Sequence, residues 1–428
     1  MTSIEMENTL SIGLESLLNR NSNSSTPKEQ KTAIDLLRKN GLSTQKDEDW
    51  KYTNLRWLNN HSFHDARRVS VDKIEQWIDR HVLNNPNFAD LPRLVFANGL
   101  FCSELSTALK CDKLNILPDS DFFGVLARPD REKMATLNYA MQNKSQIIHV
   151  PAGTQAGQLL IVNLGLNESN EYFSFHPRFI FTLEENSQLS IIELNIGEGN
   201  DFQNPLYEFC IDSHVKLSYM RVLDESKTAF HYSTLYAALA DHTKIDTFLL
   251  TLGGAITRQE IYVKFLGEWG NLQLQAIQKL AQQQHGDLTF HIKHMVPHCQ
   301  SLQNVKNILT DHARGVYQGK IFVDRIAQKT DGQQQSQALL LSDNAEIDTK
   351  PELEIYADDV KCTHGATVGA LDKEQLFFLM ARGIPHEQAR EILVNAFLNE
   401  TLEMIQDPVN SNMMKHYLSM DDEEGAIS

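Results

Sequence analysis

Cys362 and His364, separated by one residue, have the types and spacing of a site that could bind a metal or sulfur. In a β-strand, residues two apart project from the same face, so the thiol and the imidazole would point together. A thiolate beside an imidazole is a suitable ligand pair for iron or a persulfide. The same two residues also fit a buried cysteine and a hydrogen-bonded histidine near a strand end, and residue chemistry alone favours that structural role.

The densest group of potential metal ligands comprises His291, His294, His298 and Cys299. On a helix the three histidines would share one face and could hold zinc. The preceding segment 288–290 is typical of a strand, however, and in a strand the first two histidines point to opposite faces. Pro297 interrupts either element. We therefore expect ordinary strand histidines here, and a metal site remains the alternative.

The segment Gly315–Lys320 has a superficial likeness to a phosphate-binding loop. A Walker A motif needs four residues between its glycines and a Ser or Thr after the lysine, whereas here three residues intervene and Ile321 follows. We interpret the segment as a turn between strands and expect the chain to hydrolyse no nucleotide itself. Neither a Gly-x-Ser-x-Gly motif nor a close carboxylate pair stands out, so hydrolase and glycosidase sites are not indicated.

Composition limits the class of protein further. The 428 residues include 39 Lys and Arg against 56 Asp and Glu, a formal charge of −17 that argues against a general nucleic-acid binder. With 41% hydrophobic and 22% charged residues, the chain is typical of a soluble globular protein with two or three domains. No apolar run approaches the roughly 20 residues of a membrane span, and no signal or transit peptide is evident, so we expect a cytoplasmic protein.

The cysteines are few and scattered, which restricts any metal site. They are Cys102, Cys111, Cys210, Cys299 and Cys362, with no Cys-x-x-Cys pair among them. This pattern fits a reducing compartment and excludes a zinc ribbon or a ferredoxin-type run. A metal site would therefore need ligands from elsewhere in the fold or from a second chain.

Three regions follow from the patterning: a mainly helical part with a short β element (1–150), a β core (151–370) and a helical end (371–428). In the first region, helical spacing links Leu10, Leu14, Leu17 and Leu18, and also Ile74, Trp77, Ile78, His81 and Val82. The polar stretch 21–27 indicates a linker. Asn98-Gly99 has the turn chemistry of a β-hairpin.

From about Gln158 to Gly369 the hydrophobic period is two, and a weak repeat recurs. Each copy of this repeat begins with a small residue, a polar residue and an aliphatic residue. The copies are Ser187–Ile191, Ser213–Leu217, Thr243–Thr247, Gly270–Leu274, Gly286–Phe290 and Ala345–Thr349. The first copies follow one another at intervals of 26, 30 and 27 residues and then 16. Such intervals favour a solenoid of stacked strands, with the Gln-rich segments 282–284 and 333–335 in turns or amide ladders. The fold class is therefore mainly β with a parallel β-helix core, and a β-sandwich is the alternative.

The final region is predicted to be helical. One helix covers Lys373–Met380 and stops at Gly383 and Pro385, and a second runs from about His386 to Ile405. The acidic segment 421–424 is expected to be a solvated, frayed end.

The segment Lys350–Gly369 reads KPELEIYADDVKCTHGATVG and strongly resembles the SufB/SufD family of iron–sulfur cluster assembly proteins. Similar matches are Gln375–Leu379, Arg382–Ile384, Asp49–Thr53 and Lys320–Thr330. The resemblance covers most of the chain and is densest from 311 to 397. Its length, helical N-terminal part and Cys-x-His-Gly-Ala-Thr form resemble the SufD members rather than the cysteine-richer SufB members.

The resemblance implies a right-handed parallel β-helix between helical ends, acting as a non-catalytic scaffold subunit. Such a subunit would pair with SufB through the β-helices and bind the ATPase SufC through its C-terminal helical region, with two SufC per complex. The implied SufC contacts are Phe377, Arg382, Ile384, Ala389 and Phe397. A homodimer through the exposed β-helix edge would be possible in isolation.

The resemblance also assigns the site. The family's functional histidine corresponds to His364 and the neighbouring cysteine, whose role is less certain, to Cys362. Iron or a transient iron–sulfur cluster would be held only in complex with SufB, and the chain alone would hold no stable cofactor. Two other classes stay open: a β-helix carbohydrate-active enzyme, and a free-standing metalloenzyme that uses His291, His294 and His298.

Overall fold

The computed structural model describes residues 11–21, 26–122, 124–128, 132–142 and 144–425. Most of its helices lie near the two chain ends. They are α1 (Ile12–Arg20), α2 (Lys28–Asn40), α3 (Val71–Ile78), α4 (Pro86–Ala89), α5 (Lys133–Met141), α6 (Lys373–Met380), α7 (His386–Leu402) and α8 (Pro408–Gly425). Shorter helical segments are Glu48–Trp50, Arg56–Asn59 and Thr107–Lys110, which are 3₁₀, and Asp79–Leu83, which is π.

The strands, numbered β1 to β22 along the chain, form two sheets. The first sheet contains β1 (Phe63–Asp65), β4 (Asn115–Ser120), β5 (Ser145–Val150), β7 (Tyr172–Phe175), β8 (Arg178–Leu183), β10 (Asp201–Gln203), β11 (Leu206–Ile211), β13 (Phe230–Leu239), β15 (Ile256–Phe265), β17 (His285–His294), β19 (Arg314–Val323) and β21 (Glu346–Ile355). The second sheet contains β2 (Arg93–Ala97), β3 (Leu100–Phe101), β6 (Gln155–Leu166), β9 (Gln188–Glu198), β12 (Lys216–Asp224), β14 (Lys244–Thr251), β16 (Asn271–Leu280), β18 (Gln300–Leu309), β20 (Asp331–Leu340) and β22 (Lys361–Gly369).

From β11 onward the chain alternates between the two sheets. From β13 to β20 each strand pairs in parallel with the strand two positions earlier and the strand two positions later, as in β15–β17–β19 and β16–β18–β20. The result is a parallel β-solenoid of about 8 turns, with helices toward the termini. This confirms the predicted β-helix core over the sandwich alternative. We call one turn of the solenoid a coil.

The repeat in the sequence corresponds only in part to the coils. Its first four copies begin β9, β12, β14 and β16, which stack in consecutive coils of the second sheet. The copies Gly286–Phe290 and Ala345–Thr349 lie in β17 and β21 of the first sheet. The longer intervals thus measure one coil, whereas the interval of 16 residues crosses from one sheet to the other.

The solenoid interior is filled by side chains from alternate positions of both sheets. Parallel strands in register repeat at roughly 4.8 Å, so equivalent side chains of successive coils stack. Phe179 stacks on Tyr207 with centroids 5.2 Å apart, and Phe181 stacks on Phe209 at 4.4 Å. Such aligned aromatic and aliphatic side chains make the main core.

Both helical ends pack on the outside of the solenoid. In the N-terminal part, Trp57 contacts Phe202 and Phe230 of the first sheet, with centroids 5.0 and 4.0 Å apart. The C-terminal helices α7 and α8 cover the second sheet with buried apolar side chains, which include Val394, Leu398, Leu402, Met413 and Met414. These contacts stabilise the sides of the solenoid.

Several local predictions in the N-terminal part are confirmed. Helix α3 and the π segment after it bury Ile74, Ile78 and Val82, whereas Trp77 of the predicted set is half-buried and His81 is exposed. The Asn98-Gly99 turn joins β2 to β3, with φ of 50° and 72° at its two residues. Helix α1 buries Leu14, Leu17 and Leu18, while Leu10 and residues 22–25 of the expected linker lie outside the described residues.

Two interpretations were wrong, and one helix was missed. Gly315–Lys320 is not a turn but the middle of β19, where glycine makes room inside the solenoid. Residues 421–424 continue α8 to Gly425 and are not frayed, and the chain re-enters helix at Pro408 without a predicted element there. Helix α6 has the predicted bounds, and α7 begins at the predicted His386 but ends at Leu402.

Within the described ranges, no helix has the length and apolarity needed to span a bilayer. All five cysteines are free thiols.

Candidate functional site

Cys362 and His364 lie on β22, the last strand of the second sheet. Strand β22 pairs with β20 so that Cys362 is opposite Gly332 and His364 is opposite Gln334. Gly332 and Gln334 are buried, whereas Gln333 is exposed, so the matched residues of β22 are on the inner face. The prediction that the thiol and the imidazole share one face is confirmed.

Cys362 is half-buried at the edge of a small apolar cluster. Its neighbours in this cluster include the buried Ile321 and Ala327 and the partly buried Leu353. Burial raises the pKa of the Cys362 thiol, and the nearby Asp331 carboxylate adds to this effect. The thiol is therefore protonated near neutral pH and would need a bound cation to act as a thiolate.

His364 is exposed at the mouth of a cavity of about 240 Å³. Residues of β20 and β22 line this cavity, among them Gln334, Ser336, His364 and Gly365. The imidazole is accessible from solvent, and the buried Gln334 lines the same cavity. It is therefore placed to accept a ligand or a metal ion from outside the chain.

The last coil, which carries this pair, is open. Among the described strands, β21 and β22 each pair on one side only, with β19 and β20 respectively. Apolar side chains are consequently exposed there: Ile355 by 38%, Tyr356 by 54% and Val368 by 51%. Unpaired strand edges beside apolar side chains are suited to pairing with another β-structured chain.

His291 and His294 do not form a metal site, because they lie on opposite faces of β17 as expected for a strand. His291 projects outward and stacks on Tyr262, with ring centroids 4.8 Å apart. His294 projects into the solenoid, where its Nε2 lies 2.9 Å from Ser301 Oγ. Burial lowers the pKa of both imidazoles, that of His294 to about 3.

The other two residues of that group are also kept apart. His298 lies in the turn after β17 and stacks on Trp269, with centroids 4.1 Å apart. Cys299 is buried and its Sγ donates to the Gly267 carbonyl at 3.3 Å. Across the part of the chain that is described, no three His, Cys, Asp or Glu side chains converge to hold a metal ion.

Helix α6 presents an exposed apolar surface. Phe377 is 71% exposed and Phe378 is 55% exposed. Met380, at the end of α6, and Ile392 of α7 are also exposed. The Arg382 guanidinium lies over the Phe378 ring, 3.3 Å from its centroid. We call Phe377, Phe378, Met380, Arg382 and Ile392 the aromatic patch.

Three of the five expected ATPase contacts, Ile384, Ala389 and Phe397, are not in the aromatic patch. Ala389 is fully buried, and Phe397 is half-buried beneath the Lys306 ammonium, which lies 4.4 Å from its ring centroid. Phe397 packs against the apolar cluster of the second sheet, and its carbonyl accepts from Lys306 Nζ of β18 at 2.6 Å. Phe377 and Arg382 are exposed, and Ile384 is half-buried.

The Asp49–Thr53 motif docks the N-terminal part on the first sheet. The Asp49 carbonyl accepts from Arg258 Nη2 at 2.8 Å and from Gln318 Nε2 at 3.0 Å. The Trp50 ring lies 4.2 Å from the Arg258 guanidinium. The contacts of this motif are therefore structural.

The sequence interpretation missed the polar residues inside the solenoid. Glu193 and Arg221 are fully buried and form an ion pair there, and Gln303 and Gln334 are buried nearer the open end. The length of one coil could have identified the ion pair in the sequence. Glu193 and Arg221 are 28 residues apart, so the two charged residues occupy equivalent positions in successive copies of a mostly apolar repeat.

Comparison with known proteins agrees with the architecture. Residues 166–397 match the family model for the SUF system FeS cluster assembly, SufBD core domain. The chain is 31% identical over 386 residues to the iron-sulfur cluster assembly protein SufD of Escherichia coli (strain K12), covering 89% of each chain. It is 30% identical over 404 residues to an iron-sulfur cluster assembly SufBD family protein of Synechocystis, covering 87% of this chain and 86% of that relative.

A more distant relative extends over nearly the whole chain. Protein ABCI7, chloroplastic, of Arabidopsis thaliana is 26% identical over 420 residues, covering 92% of this chain and 86% of that protein. The family match spans more than half of the chain, and the relatives align over most of both lengths. The chain therefore belongs to the SufB/SufD family of iron–sulfur cluster assembly proteins.

Proposed function

We propose that this chain is a non-catalytic subunit of the scaffold on which the Suf system assembles iron–sulfur clusters, and that His364 is its main contribution to the assembly site. Membership of the family supplies the process. The observation that carries the role of His364 is its position on the inner face of the last, open coil. Cys362, on the same face, is the second contributor.

The chemistry of the pair requires a partner. A neutral imidazole can bind iron through one nitrogen, and a thiolate can supply a second ligand. Two ligands do not complete the usual set of four for a cluster, so the others must come from another chain. Iron and the nascent cluster are cargo of the complex, and the chain alone holds no stable cofactor.

The partner at the open end is SufB. Its recognition would use the unpaired edges of β21 and β22 together with exposed Ile355 and Val368. A strand from SufB could add main-chain hydrogen bonds to these edges and bring its thiolates to the face that carries His364. Pairing of this kind would cover the exposed apolar side chains and complete the site in one step.

The second partner is the ATPase SufC, which would bind the aromatic patch. Several large apolar side chains exposed together on α6 and α7 exceed the scattered exposure that is ordinary on a protein surface. An external ATPase would also supply the nucleotide chemistry of the complex, for which the strand segment Gly315–Lys320 offers no phosphate-binding loop.

The free-standing metalloenzyme alternative draws no support from the described residues, because His291, His294 and His298 do not converge. A direct test is anaerobic affinity purification of the full chain from its own cell extract. We expect a cysteine-richer SufB and a SufC with a Walker A motif to co-elute. A chain that elutes alone with stoichiometric metal would contradict the scaffold proposal.

A further inference from the structure

A column of polar side chains lies beneath His364 inside the solenoid. Gln303 of β18, Gln334 of β20 and His364 of β22 occupy matched positions in three successive coils. The same column in earlier coils contains Ile191, Tyr219, Thr247 and Leu274. Buried amides therefore enter this column only in the two coils that precede the site.

Gln334 is buried without satisfying its own amide. Its side chain is 3% exposed, and neither Nε2 nor Oε1 has a hydrogen-bond partner among the described residues. Gln303 is fully buried, with its Oε1 accepting from the Tyr317 hydroxyl at 3.0 Å and its Nε2 unpartnered. Burying an unpaired amide costs free energy, so its presence at this position calls for a function.

Glycine keeps the space around these amides open. A Cβ at Gly319 would lie 2.2 Å from the Tyr317 hydroxyl and 3.1 Å from Gln303 Oε1. A larger residue at that position would displace the hydrogen bond that fixes Gln303. The amide below Gln334 is therefore held in a defined orientation.

The Gln334 amide and the His364 ring share one space. Both side chains line the cavity of about 240 Å³ at the open end. Their strands are in register, so the two residues are separated by one strand spacing of roughly 4.8 Å at the backbone. An amide and an imidazole at this separation on one face are within reach of a side-chain hydrogen bond.

We propose that Gln334 is the positioning residue of His364. In the iron-loaded site its Oε1 accepts the N–H of one ring nitrogen, a hydrogen bond that the free chain does not make. This bond fixes the tautomer and directs the lone pair of the other nitrogen toward iron. Gln303 occupies the matched position one coil below and adds a second buried amide to the column. This inference rests on the proposed function, because it takes His364 to be an iron ligand.

The test uses the full chain in its co-purified complex and Co²⁺ as a spectroscopic substitute for Fe²⁺ under anaerobic conditions. Gln334→Met keeps the length of the side chain but removes both hydrogen-bonding atoms, and we expect Co²⁺ binding to weaken by about 10- to 100-fold. Gln334→Glu retains an acceptor oxygen and should bind Co²⁺ more tightly than Gln334→Met. The matched control is Gln300→Met, an exposed glutamine at the start of β18 and outside the cavity, which should leave binding unchanged.

Thermal unfolding distinguishes a positioning role of Gln334 from a purely structural one. Since the Gln334 amide is unpartnered, Gln334→Met should have a Tm equal to or higher than that of the unsubstituted chain, even as it loses affinity for Co²⁺. A lower Tm with an equal loss of affinity in Gln334→Met and Gln334→Glu would overturn the inference, because packing alone would then explain both.

His364→Ala in the same titration separates the two proposals. If His364→Ala weakens Co²⁺ binding and Gln334→Met does not, the positioning role of Gln334 is wrong and the proposed function stands. If His364→Ala leaves Co²⁺ binding unchanged, the iron-binding role of His364 is wrong, and the inference about Gln334 is wrong with it.

Discussion

Glu193 and Arg221 form an ion pair inside the solenoid, one coil apart, with Arg221 Nε 3.4 Å from Glu193 Oε2. Neither side chain is more than 1% exposed. The hydroxyls of Tyr207 and Tyr219 donate to the two oxygens of Glu193, and the guanidinium lies 4.3 Å from the Tyr207 ring centroid. The carboxylate is thus satisfied on all sides, as a buried charge must be.

We expect Glu193→Gln to destabilise the chain by about 3–5 kcal/mol, because it leaves the Arg221 cation buried without its counter-charge. Urea unfolding followed by circular dichroism measures the change. Glu198→Gln, an exposed residue at the end of the same strand, is the control and should change stability by less than about 0.5 kcal/mol. Equal effects of the two substitutions would mean that the buried pair adds nothing to stability.

We expect His364→Ala to fold and assemble normally but to leave the complex with much less iron. The residue is exposed, so its removal should cost less than about 0.5 kcal/mol of stability. The measurement is the iron content of the anaerobically purified complex, together with its subunit composition. His312→Ala, at an exposed turn position, is the control. Normal cluster maturation by the assembled His364→Ala complex would refute the assigned role.

The double substitution Phe377→Ser and Phe378→Ser should abolish co-elution of the ATPase and leave pairing with SufB intact. This point variant is a sharper test than truncation after Gly369, because truncation would uncover the second-sheet face that α7 and α8 bury. Leu266→Ser, which removes an apolar side chain that is 52% exposed in a distant turn, is the control. Retention of the ATPase by the double variant would show that the aromatic patch is not its docking surface.

The buried His294 predicts a loss of stability in acid. Its pKa is lowered to about 3 in the folded chain, against about 6.5 when unfolded, so the unfolded state binds the extra proton between these values. Stability from this residue is complete above pH 6.5 and falls as the pH drops toward 3, by up to about 1.4 kcal/mol per pH unit.

The variant His294→Asn should show a weaker pH dependence of the urea midpoint between pH 7 and pH 5. The comparison is Gln300→Asn, at an exposed position without a titratable group at the start of β18, which should keep the pH dependence of the unsubstituted chain. Identical pH profiles for all three proteins would mean that His294 does not contribute to acid sensitivity.

Much of the fold could be predicted from the sequence, because the solenoid repeats its pattern in each coil. Stacked strands produce both the alternation of apolar residues and the recurring segments that begin at Ser187, Ser213, Thr243 and Gly270. The bounds of α6 follow equally from local signals, since Asp372 caps its first turn and Gly383 follows its end with a φ of 87°.

What the sequence did not provide were features that depend on contacts between coils. Gly315 and Gly319 resemble turn residues locally, yet they lie within β19 because side chains from neighbouring strands fill the space beside them. For the site, strand alternation was enough to place Cys362 and His364 on one face. The proposed role of Gln334 could be recognised only from the strand register that pairs it with His364. No local sequence pattern reveals that register.

Because the coils stack regularly, the length of the solenoid is proportional to the number of coils. Second-sheet strands begin at residues 188, 216, 244, 271, 300, 331 and 361, so one coil takes 27 to 31 residues and adds one fixed increment of height. Inserting or deleting a whole coil upstream of β18 would change the distance from the N-terminal helices to the open face while preserving the arrangement around His364. A single-residue insertion within β20 would reverse which side chains face inward and remove the amide from beneath the imidazole. Relatives of different length can therefore keep the same end geometry, provided that their length differs by whole coils.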